Sequence, residues 1–183
     1  MDAVDRETLR LMRRSGCRRL LFGIESGVDL LLEKVTKDFS TERVREAVAL
    51  CQEEGIETVG LFMLGLPGET RAMTEETIRF SCDIGLDFAK YAITIPFPGS
   101  QLYADLVAEG RLNRNDWDNW TTFQPNPDLL PFVPRDVSNT ELIALQRAAT
   151  RRFYLRPTMV FHQLFKVRSI GPRQVLHGLR SLL

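Results

Sequence analysis

The first 99 residues repeat one pattern three times: an amphipathic helical segment, a glycine that can end it, and a short apolar run. The apolar runs cover residues 19–24, 57–64 and 87–95. Strands that alternate with helices pair in parallel, because the chain crosses over between them through the helix. The pattern therefore predicts an α/β fold with three parallel strands, too few for a closed barrel of eight.

The composition changes after residue 95. A short helix is predicted over residues 101–109, and residues 111–137 hold four prolines and both tryptophans, which indicates an extended connection. Ser138 and Glu141 form a capping box that opens a helix running to about residue 154. We therefore predict three parts: residues 1–110 with the strands, the connection 111–137, and a helical tail 138–183.

The net charge of zero hides an uneven distribution. Residues 142–183 hold eight Lys and Arg side chains and no Asp or Glu. Such a segment is suited to an anionic partner, whether a lipid surface, a nucleic acid or the acidic remainder of the chain. Apolar residues such as Tyr154 and Phe161 lie among the basic ones, a pattern typical of contact with an anionic membrane surface.

Other features of the sequence point to the compartment. The apolar runs are far shorter than the roughly 20 residues of a spanning helix, and the first residues are charged, without the apolar region of a secretory signal. The three cysteines, Cys17, Cys51 and Cys82, are 34 and 31 residues apart, which is unlike a disulfide framework or a zinc site. We expect a cytoplasmic protein, with peripheral membrane contact through the tail left open.

The candidate binding residues follow the predicted strands. Ligands in parallel α/β folds bind beyond the carboxyl ends of the strands. Those ends are Gly-Ile-Glu-Ser-Gly at residues 23–27, Gly-Leu-Pro-Gly-Glu-Thr at 65–70 and Pro-Phe-Pro-Gly-Ser at 96–100. Glycine lets backbone approach a ligand, and Glu25 and Ser26 offer oxygen acceptors for hydroxyl or ammonium groups. The alternative is that these are ordinary turns and that Glu69 and Thr70 only cap the next helix.

Three segments in this order resemble a known family: LLFGIESG, GLFMLGLPGET and ITIPFPGSQLYADLVAEGRL. They are similar to the second half of the radical SAM core, a six-stranded partial (β/α) barrel, over roughly residues 5–125. The similarity is greatest to the branch that often carries an N-terminal cobalamin-binding domain. The fold class that the resemblance implies is a fragment of that partial barrel, with three parallel strands and a helical C-terminal tail.

The resemblance also implies contacts to S-adenosyl-L-methionine (SAM). In the family, the fourth strand exit contacts the ribose and methionyl parts, the fifth-strand glycine-rich motif lies along the adenine, and the sixth strand exit touches the adenine through backbone. The implied residues are Glu25 and Ser26 for the first, Met63, Gly65 and Gly68 for the second, and Ile95 and Pro96 for the third.

The sequence departs from the family in one respect. Members bind a four-iron four-sulfur cluster through Cys-x-x-x-Cys-x-x-Cys, and this sequence contains no such motif and no Gly-Gly-Glu motif for the SAM amino group. The resemblance then implies the distal half of a radical SAM enzyme, inactive alone, which an N-terminal half completes in cis or in trans. SAM and the cluster are the implied cofactors, cobalamin stays open, and no catalytic residue or metal ligand is assigned.

Two other functions compete with this one. The first is a non-catalytic interaction module that docks to a partner or an anionic membrane surface through its basic tail; no nucleic acid is expected. The second is a small nucleotide-binding protein that uses residues 65–70 as a phosphate turn. That turn lacks the lysine and the glycine spacing of a P-loop.

Overall fold

The computed structural model describes residues 4–112, 120, 122 and 130–165. Three parallel strands, β1 (Arg19–Glu25), β2 (Glu57–Leu64) and β3 (Phe88–Ile93), form a sheet in the order β1-β2-β3. The predicted α/β fold with three parallel strands is confirmed, because each pair of strands is joined through helix. Most of the predicted connection, residues 113–119, 121 and 123–129, and the tail beyond residue 165 lie outside the described residues, so the predicted part boundaries stay predictions.

The described part of the chain contains seven helices besides the sheet. They are α1 (Arg6–Arg14), α2 (Asp29–Lys34), α3 (Thr41–Glu53), α4 (Arg71–Asp83), α5 (Gln101–Ala108), α6 (Asn139–Tyr154) and α7 (Pro157–Phe165). Side chains that accept a backbone N–H fix the starts of α3, α4, α5 and α6, which are capped by Ser40, Thr70, Ser100 and Ser138. The sequence did not predict α2, which has six residues and no side-chain cap.

The two faces of the sheet differ in burial. Phe22, Phe62 and Tyr91 lie on the face that packs against the helices and belong to the hydrophobic core. On the opposite face Leu21 is 62% exposed and Lys90 is exposed. The apolar runs suggested strands buried on both faces, whereas the described residues cover the opposite face only in part: Val59 on it is buried, while Leu21 and Lys90 are exposed.

The two edges of the sheet also differ. Helix α6 covers the outer edge of β3: Tyr154 Oη donates to Ala89 O at 2.9 Å and accepts from Ala89 N at 3.2 Å. Gln146 Nε2 donates to Tyr91 O at 2.8 Å. The other edge of the sheet is formed by β1, which pairs only with β2 among the described strands. The sheet can therefore be extended beside β1 but not beside β3.

The C-terminal helices are part of this core. Phe153 and Met159 are buried and join the hydrophobic cluster that the sheet also enters. Leu155 and Phe161 are instead exposed. Among the described helices, none has the length and apolar character that a membrane crossing requires.

Candidate functional site

A cavity of about 740 Å³ opens at the carboxyl ends of β2 and β3. Its volume lies within the roughly 300–1,000 Å³ of small-molecule sites. The end of β2 and the turn after it form one wall, and α5 and the exit of β3 form another. Residues 34–36, at the end of α2, and residues 132–136 line the remainder.

The turn between β2 and α4 is fixed by a buried carboxylate. Glu69 Oε2 accepts hydrogen bonds from the N–H groups of Gly65 at 2.5 Å and Leu66 at 2.8 Å. Gly65 and Gly68 have φ angles of +81° and +73°, a conformation that side chains other than glycine rarely adopt. A Cβ atom at Gly68 would also lie 2.7 Å from Lys34 Nζ at the cavity wall. The glycines thus keep the turn tight and the wall of the cavity open.

Two polar groups on the cavity wall are unusual. Burial raises the pKa of Glu69 above its ordinary value, although the hydrogen bonds from Leu66 N–H and Gly65 N–H act in the opposite direction. Thr94, which follows β3, is buried and lines the cavity, and its Oγ1 has no hydrogen-bond partner among the described residues. A buried polar atom without a partner is expensive, but Thr94 Oγ1 is itself closed off from solvent, so this atom does not open onto the cavity.

The exit of β1 is built around an ion pair. Glu25 has a φ of +68°, which is rare for a residue with a side chain, and the pairing with β2 shifts register beside it. Its Oε1 lies 3.0 Å from Lys37 Nζ, which also donates to Gly23 O at 3.4 Å. Strained backbone of this kind is often found at ligand sites.

Ser26 and Gly27 have contacts inside the protein. Ser26 is fully buried, its Oγ lies 3.2 Å from Thr77 Oγ1, and it accepts from Val28 N at 3.1 Å. A Cβ atom at Gly27 would lie 2.6 Å from Phe80 Cβ. These residues dock the β1 exit onto α4.

The exit of β3 presents a rigid aromatic side chain. Phe97 lies between two prolines, and its carbonyl oxygen accepts from Ser100 Oγ at 2.6 Å and from Ser100 N at 3.1 Å. Its side chain is nevertheless 53% exposed. The ring centroid of Trp120 lies 6.5 Å from that of Phe97 and 6.5 Å from that of Tyr103 on α5. We call Phe97, Tyr103 and Trp120 the aromatic platform.

The structure places the seven SAM-contact residues implied by the sequence in three groups. Met63, Gly68 and Ile95 line the cavity directly. Gly65 and Pro96 are chain neighbours of residues that line it, while Glu25 and Ser26 lie at the exit of β1. The sequence analysis did not identify Lys37 or Thr94. The ion pair of Lys37 with Glu25 and the burial of Thr94 depend on the folded structure, and no local sequence pattern predicts them.

The comparison with known families agrees with the site. Residues 1–81 match the Radical SAM superfamily. Over this stretch, a little under half of the chain, the sequence is therefore similar to the radical SAM superfamily. Over 98% of its length its fold is also similar to the radical SAM methyltransferase TsrM from Kitasatospora setae, with a TM-score of 0.66, 15% identity and 42% of the TsrM chain covered. That TsrM structure has cobalamin and a [4Fe-4S] cluster bound.

The curated relatives that this chain matches are considerably longer. An uncharacterized methyltransferase of Pyrococcus horikoshii is 29% identical over 179 residues, which are 98% of this chain and 38% of the relative. The anaerobic magnesium-protoporphyrin IX monomethyl ester cyclase of Cereibacter sphaeroides is 26% identical over 179 residues, 28% of its own length. The chain thus spans well under half of these relatives.

The family implies SAM and a four-iron four-sulfur cluster, and the described residues fit only the first. The glycine turn and the cavity volume suit part of a SAM molecule. The three cysteines, in contrast, all lie in segments that precede the strands. They are therefore at the amino ends of the strands, whereas the cavity is at the carboxyl ends. Burial raises the pKa of Cys51 to about 11, which keeps its thiol protonated. Among the described residues no group of His, Cys, Asp and Glu side chains could hold a metal ion.

Proposed function

We propose that this chain is the distal half of a radical SAM enzyme and contributes part of the walls that hold SAM and the substrate. The observation that carries the proposal is the cavity of about 740 Å³ at the carboxyl ends of β2 and β3, built on the glycine turn of residues 65–70. Met63, Gly68 and Ile95 already line it, and all three were implied as SAM contacts. On its own the chain does not catalyse the reaction.

The role of this chain is binding, orientation and exclusion of water. SAM, when bound, supplies the adenosyl group that superfamily members use for radical chemistry. Glu69 holds the turn so that Gly68 leaves room for the adenine, and Ile95 closes the apolar side of the cavity. The Glu25–Lys37 pair presents a carboxylate and an ammonium at the exit of β1, which suits the ribose hydroxyls and the methionyl part.

A methyl transfer is the reaction that the relatives favour. The Pyrococcus horikoshii relative is named as a methyltransferase, and TsrM is a methyltransferase that binds cobalamin. We therefore propose cobalamin as a further cofactor of the complete enzyme. The cytoplasm is the proposed compartment, in keeping with cysteines that form no disulfide.

The proposed partner is an N-terminal radical SAM half, in cis or in trans, that brings the cluster ligands. Because α6 blocks the edge of β3, an added strand has to pair beside β1. The partly uncovered face of the sheet, with Leu21 and Lys90, gives such a half an apolar surface to complete. The greater length of the relatives supports the same arrangement.

Binding of SAM to the full chain tests this proposal. Saturation-transfer NMR with SAM and S-adenosylhomocysteine should show transfer to the adenine protons. Gly68→Ala should weaken it, because the new Cβ atom crowds the cavity wall. Gly16→Ala is the matched control: Gly16 also has a positive φ, of +101°, but a Cβ atom there has no neighbour within 4 Å. No transfer to the wild-type chain, or equal weakening in both variants, would contradict the proposal.

The interaction module remains as the alternative, and two exposed apolar side chains favour it. Leu155 follows α6 and is exposed, as are Arg151 and Arg152 in the last turn of that helix, and Phe161 is exposed on α7. Tyr154, however, is used inside the fold, where it bonds to β3. Co-sedimentation with vesicles of anionic or neutral lipid decides between the two: salt-sensitive binding to anionic vesicles only, reduced in Arg151→Ala/Arg152→Ala, would support the module.

A further inference from the structure

We propose that the aromatic platform binds a planar, conjugated ring of the substrate, stacked on Phe97 at the mouth of the SAM cavity. This inference rests on the proposed function, because it assigns the substrate class of that same site. The first observation is exposure: a phenyl ring that is 53% exposed has not been buried by the fold. Phe97 also follows Ile95, which lines the cavity, by only two residues, so this exposed residue lies near a pocket of ligand size.

The second observation is rigidity. Pro96 and Pro98 restrict the backbone on both sides of Phe97, and the two hydrogen bonds from Ser100 hold its carbonyl oxygen. Phe97 N also donates to Ile95 O at 3.0 Å, which closes the turn from the strand side. Presenting a side chain from a fixed backbone lowers the conformational entropy that binding costs. The turn thus holds the ring in place before a ligand arrives.

The third observation is the arrangement of the rings. Phe97 and Tyr103 both lie 6.5 Å from Trp120, with their planes tilted by 55° and 52° to it. These distances are within the roughly 4.5–7 Å of favourable aromatic pairs. Packing against Trp120 holds Phe97 on one side and leaves part of its surface to solvent, where another ring can stack.

The surroundings of Phe97 separate a planar ring from other apolar ligands. Its chain neighbours Pro96, Pro98 and Gly99 have no side-chain donor or acceptor, so the backbone turn that carries the ring offers an apolar surface. An alkyl chain needs an enclosing channel to bury its length, and Phe97 stands on an open turn instead. A flat ring system buries a whole face on such a surface.

The platform adjoins the SAM cavity through its turn. Ile95 and Ser100, on either side of Phe97, both line that cavity, whereas the three platform residues stand outside its lining. A ring stacked on Phe97 would therefore lie near the entrance of the cavity. Position and chemistry together assign Phe97 to substrate positioning.

The test uses the full chain and lumichrome, a neutral planar heteroaromatic, as probe, with octyl glucoside as the non-planar apolar and sugar probe. Saturation-transfer NMR should show lumichrome bound to the wild type and octyl glucoside not bound. Phe97→Leu should weaken lumichrome binding about fivefold, because it keeps an apolar side chain but loses the ring. Phe97→Tyr should preserve binding. Phe161→Leu, which removes another phenyl ring that is 60% exposed, is the matched control and should change nothing.

The outcomes are distinct. No lumichrome binding to the wild type, equal binding of octyl glucoside, or equal effects of Phe97→Leu and Phe161→Leu would overturn the inference. Circular dichroism of each variant separates a loss of binding from a loss of fold. If SAM binds and lumichrome does not, the inference alone fails. If lumichrome binds at Phe97 and SAM does not bind, the proposed function fails and the platform stands.

Discussion

The carboxylate of Glu69 holds the turn after β2 from inside the protein. It is almost fully buried, and its Oε2 accepts the N–H groups of Gly65 and Leu66. Removing this acceptor would leave two N–H groups of the turn without a partner, which is costly in a buried position. Thr70 caps α4, so the two adjacent residues have separate tasks.

Glu69→Gln should change how stability depends on pH. Burial raises the pKa of Glu69, so folding favours its protonated form. That contribution is fully present below the ordinary glutamate pKa and is lost as the pH rises through the raised pKa of the folded state. The variant, which still offers an oxygen acceptor, should therefore equal the wild type at low pH and be more stable above that window.

Urea unfolding of both proteins over a pH series measures this difference. Glu76→Gln is the matched control, because Glu76 is an exposed carboxylate on α4, the helix that follows Glu69. A difference between Glu69→Gln and wild type that does not grow with pH would contradict the argument.

At the scale of single residues, the sequence predicted where the strands end. It did not predict the hydrogen bonds that the residues at those ends make inside the protein. The glycines at 65 and 68 were visible as a turn, and both have positive φ. That Ser26 would bond to Thr77, 51 residues away, could not be predicted, since it depends on how α4 packs. Capping by Glu69 and Thr70 was raised only as an alternative; Thr70 does cap α4, whereas Glu69 binds the N–H groups of Gly65 and Leu66.

Helix α6 protects the outer edge of β3 from pairing with another strand. Tyr154 and Gln146 occupy the backbone groups of Ala89 and Tyr91 that another strand would need. Native proteins protect sheet edges in this way against unwanted pairing. The sequence predicted the helix from its capping box, but not its place beside β3, because residues 89 and 154 are far apart in the chain.

Tyr154→Phe should destabilise the fold by about 1–3 kcal/mol, because it leaves both backbone groups of Ala89 without a partner. Hydrogen exchange at the Ala89 amide should accelerate, while the Phe22 amide in β1 serves as the internal reference. Urea unfolding gives the change in free energy. Unchanged exchange at Ala89 would show that α6 does not protect this edge.

On the scale of the whole molecule, the thiols and the cavity lie at opposite ends of the sheet. Cys17, Cys51 and Cys82 each lie shortly before a strand, whereas the cavity lies after β2 and β3. The sequence already separated them, because each cysteine lay in a helical segment or beside its glycine stop. The partly open face of the sheet was not foreseen, because an apolar strand looks the same whether one face or both are covered.

The isolated chain should therefore not assemble a stable four-iron four-sulfur cluster. Cluster assembly needs several thiolates close together, and burial raises the pKa of Cys51 and of Cys82. After anaerobic reconstitution, iron and sulfide should be equally low in the wild type and in a variant with all three cysteines changed to serine. About four irons per chain in the wild type, lost in that variant, would contradict this placement.

The unpaired edge of β1 should make the isolated chain associate with itself. An apolar strand at the edge of a sheet is a template for pairing with another chain, and Leu21 in its centre is 62% exposed. Leu21→Lys places a charge on this strand, so analytical ultracentrifugation should find the wild type in dimers or larger species and the variant shifted toward monomer. Leu30→Lys is the matched control, since Leu30 is 50% exposed but lies on α2, away from the edge. A monomeric wild type, or an equal shift in both variants, would show that β1 does not drive association.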